Sequence, residues 1–202
     1  MSDKPLVQQA LANELGGLIL EMPDDNVIPF IKAFWQVHCG EWHGLDRIRL
    51  DKYYLLFRRF VYFSFQWLAN NNWDEEKVEE YTTCLLEGPL HPTDRTKPDA
   101  IAYHIMEIYF EELEKVLEQQ EQEDEDLDVP MEAITRPLTV LSTDAMNKLT
   151  RKKAKEILKE YQDEMDNVPD DAVANEEDEE NDEDEEDDED EDMDSDDSDM
   201  KD

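Results

Sequence analysis

The chain has 202 residues, with 57 acidic side chains against 19 lysines and arginines and a formal net charge of −38. So negative a chain repels naked nucleic acid as a whole, and no run approaches the roughly 20 consecutive apolar residues that span a bilayer. Cys39 and Cys84 lack the spacing of a disulfide framework and read as buried thiols; with no basic-plus-apolar leader, the reading is of a soluble, intracellular protein without membrane partners.

The charge is unevenly placed. Between Asp170 and Asp202 there are 23 acidic residues and one base, Lys201. A block this dense repels itself and has nothing to bury, so it is expected to be disordered. A second acidic run, Glu118 to Asp128, separates an aromatic-rich first part from a mixed segment. The expected division is a helical domain over residues 1–118, an acidic linker over 119–142, a partner-docking helix over 143–166 and a disordered acidic tail over 167–202.

Helical periodicity recurs along the first part, while strand signals are weak. In "DKPLVQQALANELGGLILEM", Leu6, Ala10, Leu11, Leu15, Leu18 and Ile19 recur at spacings of three and four, with Asp3 and Pro5 suited to the first turn. Gly16-Gly17 weakens that helix by roughly 1 kcal/mol per glycine, or admits a neighbouring helix closely. A turn at Pro23 to Asn26 precedes a second helix, "VIPFIKAFWQVHCGEW", which tolerates Pro29 only near its start. Gly40 and Gly44 bracket its end.

A third, longest helix is expected from Asp46 to Asn70. An Asn-rich turn follows, with Asp74 as N-cap of a short helix carrying Val78, Tyr81 and Leu85. "PLHPTDRTKPDA" is a loop. "AIAYHIMEIYFEELEKVL" is a fifth helix with Ile101, Ile105, Ile108, Leu113 and Val116 toward the core. Beyond the acidic linker, Thr143 to Met165 reads as a thinly amphipathic helix that folds against a partner. Helices joined by short turns and no strands indicate an all-α bundle or α-solenoid.

The third helix is apolar on most sides. At 100° per residue, Leu50, Tyr53, Tyr54, Phe57, Phe60, Val61 and Leu68 fill a broad arc, while Ile48, Leu55, Leu56, Tyr62 and Phe63 interrupt the far side. Such a helix is central and covered on both flanks. Its bases are Arg47, Arg49, Lys52, Arg58 and Arg59, with Asp51 spaced to pair with Arg47 and with Lys52 and Arg59 in one row. Either these bases are stem-buried or acid-paired, or they meet phosphates or a partner's carboxylates. Periodicity leaves both open.

Enzymatic signals are poor: no phosphate-binding loop, dinucleotide fingerprint or nucleophile elbow occurs. "HCGEWH" groups His38, Cys39 and His43 without the paired spacing of zinc modules, and His91 and His104 read as ordinary surface or core histidines. No catalytic, metal or cofactor site is expected. "RKKAK", Arg151 to Lys155, fits a nuclear-import signal no better than a plain helical face. In "DSDDSD", Ser195 and Ser198 sit where acidophilic kinases act, and the acidic tail is suited to gathering basic proteins such as ribosomal proteins or histones.

Several blocks in order carry a family resemblance. "FWQVHCGEWHGLDRIRLDKYYLLFRR", through Trp35, Glu41, Trp42, Leu45, Asp46, Arg47, Arg49, Leu50, Asp51, Lys52 and Tyr53, resembles the signature of the nucleolar ribosomal RNA-processing protein 1 family. "DKPLVQQALANELGGLI" is similar to the helix upstream of it, and "HPTDRTKPDAIAYHIMEIYFEELEKV" to the one that closes the domain; together they cover residues 2–117. The resemblance implies a helical, HEAT-like domain and a non-enzymatic scaffold in the nucleolus of the nucleus. It implies as partners the pre-60S (pre-ribosomal large-subunit) particle, its pre-rRNA and other assembly factors. Family members carry further helices before "DKPL". The expectation is therefore an array without its first helices, whose Leu6–Ile19 helix exposes apolar surface.

Overall fold

The computed structural model of the chain describes residues 4–121 and 128–166. The expected tail, Asp3 and part of the expected linker lie outside the described residues. Among those described there are seven α-helices and no strand: α1 Pro5–Glu21, α2 Asp24–Glu41, α3 Leu50–Asn70, α4 Glu75–Glu87, α5 Asp99–Glu121, α6 Met131–Asp144 and α7 Lys148–Asp166, with 3-10 turns at Trp42–Gly44 and Arg47–Arg49.

The odd-numbered helices lie side by side in the order α1, α3, α5, α7, and α2, α4 and α6 form a second layer. This alternation is that of a HEAT-like α-solenoid, the fold class the sequence indicates. Both layers follow from where each helix carries its apolar residues. Helix α2 buries Val27, Ile31, Trp35 and Cys39, one per turn along a single stripe. It begins three residues earlier than its periodicity suggests, because Asp24 and Asp25 favour a first turn whose amide groups lack partners. Helix α4 starts at the expected cap: the Asp74 carboxylate accepts from the Lys77 amide at 3.1 Å. Helix α5 buries all five of the predicted core positions.

Helix α3 is central, as its all-round apolarity demands, with α1 on one flank and α5 on the other. Its third side meets α2 through rings. Phe34 stacks on Phe60 at 3.5 Å, and Trp35 and Phe57 lie 5.4 Å apart beside them. Each such ring pair adds about 0.5–1.5 kcal/mol beyond its burial. The helix proper begins at Leu50; Arg47–Arg49 forms a separate 3-10 turn capped by Asp46, which accepts from the Ile48 amide. The expected Arg47–Asp51 helical pairing does not form, because Arg47 precedes the helix.

The α1–α3 contact depends on Gly16. A Cβ there would fall 2.5 Å from a ring carbon of Phe63 and 3.2 Å from the Arg59 carbonyl oxygen. Gly17 is different, since the nearest atom to its Cβ position is the Phe63 ring at 3.9 Å.

The α3–α5 contact carries ions. Arg58 donates to Glu111 at 2.6 Å and to Glu112 at 2.8 Å, and Lys115 donates to the same Glu112 oxygen at 2.5 Å. The Glu112 side chain is fully buried, and its second oxygen has no hydrogen-bond partner. His104 adds a neutral link, its Nε2 lying 2.9 Å from the Tyr54 carbonyl oxygen.

Residues 119–142 are not a linker throughout. Residues 131–144 form α6, which buries Ile134, Leu138 and Leu141, and the Tyr109 hydroxyl donates to the Ile134 carbonyl at 2.9 Å. The segment 143–166 likewise does not stand apart. Its first residues end α6, and α7 packs on α5 and α6 within the same array. Ala154 is buried, and the Tyr161 ring stacks on Phe110 at 3.9 Å. The thin apolar face of α7 is enough because this chain itself supplies the surface it needs.

Both thiols are buried. Burial pushes the Cys39 thiol pKa up and takes Cys84 to about 11.

Two stability tests follow from the flanks of α3. Gly16→Val should lower stability by about 1–3 kcal/mol through overpacking, whereas Gly17→Ala should raise it by about 0.5–1 kcal/mol; urea titration of the two variants reads the contrast. Arg58→Ala should cost about 2–3 kcal/mol because it strips a buried carboxylate of its main partner, and adding Glu112→Leu should restore part of the loss. Arg49→Ala, at the surface, should stay within about 0.5 kcal/mol of the parent in the same titration.

Candidate partner-binding surface

The five bases singled out by sequence do not form one site. Arg58 faces α5 and is engaged by Glu111 and Glu112. Burial works against its charged form, yet the two carboxylates outweigh it and raise the pKa of the guanidinium. Arg58 therefore belongs to the fold. Arg49, Lys52 and Arg59 lie on the side of α3 that turns toward α1. The spacing of 52, 56, 59 and 63 puts Lys52 and Arg59 in one stripe with Leu56 and Phe63, the residue that touches Gly16. Arg47 is exposed on the 3-10 turn that leads into this stripe.

Among the described residues Arg47, Arg49 and Arg59 make no ion pair. Lys32 by contrast is tied to Glu87 at 2.8 Å and Lys77 to Asp24 at 2.7 Å. Three arginines without carboxylates in a chain of this acidity make the α1 side of α3 the exception to the surface around it. Between Arg47 and Arg49 stands Ile48, 82% exposed. Its position off the apolar arc of α3 was the signal available in sequence, where it appeared only as an interruption.

Next to these bases lies a groove between α1 and α3, about 240 Å3 in volume, with Val7, Leu11 and Leu15 on one wall and Tyr53 and Leu56 on the other. Arg49 and Lys52 stand at its edge. The face of α1 that the resemblance left open is indeed apolar and exposed: Leu6 is 78% exposed and Leu11 52%. The surface can thus offer both guanidinium forks for oxyanions and an aliphatic floor.

The histidine and cysteine cluster comes apart. Cys39 points into the core, and His38 lies against Phe34 and Phe57 with its Nδ1 2.7 Å from the Phe34 carbonyl oxygen. Burial lowers the His38 pKa, so it is neutral at physiological pH. His43 is on the surface of the first 3-10 turn. His91 organises its loop, its Nδ1 accepting from the Thr93 and Asp94 amides. No group of three potential metal ligands comes together among the described residues, and none of their helices is long and apolar enough to cross a membrane.

A family model described as "Nucleolar protein, Nop52" matches residues 1–202. Human ribosomal RNA processing protein 1 homolog A is 38% identical over 117 residues, 57% of this chain and 25% of its own length. Human homolog B is 37% identical over the same span, 15% of its length, and the Drosophila melanogaster homolog 30% identical over 17% of its length. The chain thus spans a quarter or less of the length of these relatives, and what they share with it is the stretch that holds α3 and its flanking helices. The matched model covers the whole sequence, and the chain belongs to the Nop52 family of nucleolar proteins.

Proposed function

We propose that this chain is a non-enzymatic ribosome-assembly factor, a helical scaffold on nucleolar pre-large-subunit particles that supports the processing of their rRNA. The observation that carries the reading is its 37–38% identity to human proteins named for ribosomal RNA processing. The fold supports it, since a two-layered helical array offers long, rigid faces to several neighbours at once. Arg47, Arg49 and Arg59 supply local cations for rRNA phosphates or partner carboxylates, with Lys52 beside them on the groove edge. A compact cationic patch of this kind acts over a Debye length of about 8 Å in physiological salt. The acidity of the rest of the chain therefore weakens approach from afar more than contact once docked.

A second reading, an acidic chaperone for basic ribosomal proteins or histones, draws on the 23 acidic residues between Asp170 and Asp202. The two readings differ in which part is dispensable.

Depleting the protein from cells should accumulate large-subunit rRNA precursors and leave small-subunit maturation nearly normal. A primary defect confined to the small subunit would sink the scaffold reading. In complementation, Arg47→Glu/Arg49→Glu/Arg59→Glu should melt like the parent but sediment away from the particle on sucrose gradients. Removal of residues 170–202 should be tolerated; if that truncation alone abolishes rescue, the chaperone reading replaces the scaffold.

A further inference from the structure

Helix α1 carries no base and only Glu14 and Glu21 as acids, and its apolar residues run all the way round it. One side is used, with Ala12, Gly16 and Ile19 buried. The opposite side leaves Val7, Leu11 and Leu15 in line, four residues apart, with Leu18 seven residues after Leu11. A helix apolar all round belongs between neighbours, yet among the described residues α3 is the only helix packed broadly against α1. The open side is continuous with the groove whose other wall is Leu56 of α3 and whose edge holds Arg49 and Lys52.

We infer that this groove is the docking site for an amphipathic helix of a protein partner whose apolar stripe is flanked by carboxylates. The aliphatic floor takes the stripe, as in other helix-in-groove contacts. The cations on the α3 edge select the flank. Arg49 presents a planar fork that matches a carboxylate, and a basic helix in the same position would set like charges against it. RNA is a poorer fit, because phosphates would use the edge and leave the leucine floor wet. A second copy of this chain is disfavoured as well, since each copy brings a net charge of −38.

Two synthetic probe helices of about 18 residues, five turns long, test the inference. Both carry the same leucine stripe at i, i+3, i+4 and i+7, one flanked by glutamates and the other by lysines. Binding to the full chain is read by fluorescence anisotropy. The glutamate-flanked probe should bind on the order of tenfold more tightly, the scale of one or two edge ion pairs exchanged for repulsions. Arg49→Glu should erase or invert that preference. Leu11→Asp, at an exposed position that should leave the thermal melt unchanged, should abolish binding of both probes. Equal binding of the two probes, or insensitivity to Leu11→Asp, overturns the inference. So does displacement of the probe by a single-stranded RNA oligonucleotide. In cells, p-benzoylphenylalanine at position 11 should crosslink to a protein segment with an apolar helical stripe and flanking Asp or Glu. A crosslink to RNA, to a second copy, to another segment of the same polypeptide or to a lysine-rich helix overturns it.

Discussion

The stack of Phe34 on Phe60 sets the distance between the two helical layers, and the rest of the domain is arranged around that distance. Helices α2 and α3 meet through their rings, with Trp35, Phe57 and Trp42 widening the same slab. Rings are stiff and large, so they hold two helices apart while filling the space between them. With its α2 side occupied in this way, α3 has to find cover for its remaining apolar sides along the layer it belongs to. It does so with a glycine on one flank and an ion pair on the other. At Gly16 the α1 backbone comes close because no side chain intervenes. At α5 a guanidinium reaches in to a carboxylate that water does not reach.

The different fates of the bases follow from those flanks. Arg58 and Arg59 are neighbours in sequence, but one helical step turns them toward different helices. Arg58 meets two glutamates and is held as part of the packing. A buried pair of this kind adds little net stability over a well-packed apolar pair, yet losing one partner is costly. Arg59 meets α1, which has no carboxylate on its packed side, and keeps its charge for the surface. The structural and functional readings of this helix were both right, for different residues.

Much of this was legible in the sequence, and the exceptions have physical causes. The centrality of α3 followed from apolar residues on most of its sides. The cap at Asp74 and the buried row of α5 followed from spacing alone. Helix α6 was hidden because the acidic run before it dominates the composition and because Pro130 and Pro137 bracket its first turns. Its signal is the trio Ile134, Leu138 and Leu141, at helical spacing, and Pro137 is itself buried rather than disruptive. That Arg58 serves the fold could not be seen from its own helix wheel, since its partners stand 53 and 54 residues away. The adjacent pair Glu111-Glu112 was the trace they left: Glu112 falls among core positions of α5, where an acid needs a counter-charge.

The depth of Cys39 and Cys84 makes the surface of this protein chemically addressable. A maleimide reacts with thiolate, and both native thiols are shielded from solvent and held above the usual thiol pKa. A single cysteine placed on an exposed position therefore becomes the one fast-reacting thiol of the described domain. A spin label or fluorophore can be installed there in the otherwise native sequence, with no need to disturb the aromatic slab by first removing the cysteines beneath it.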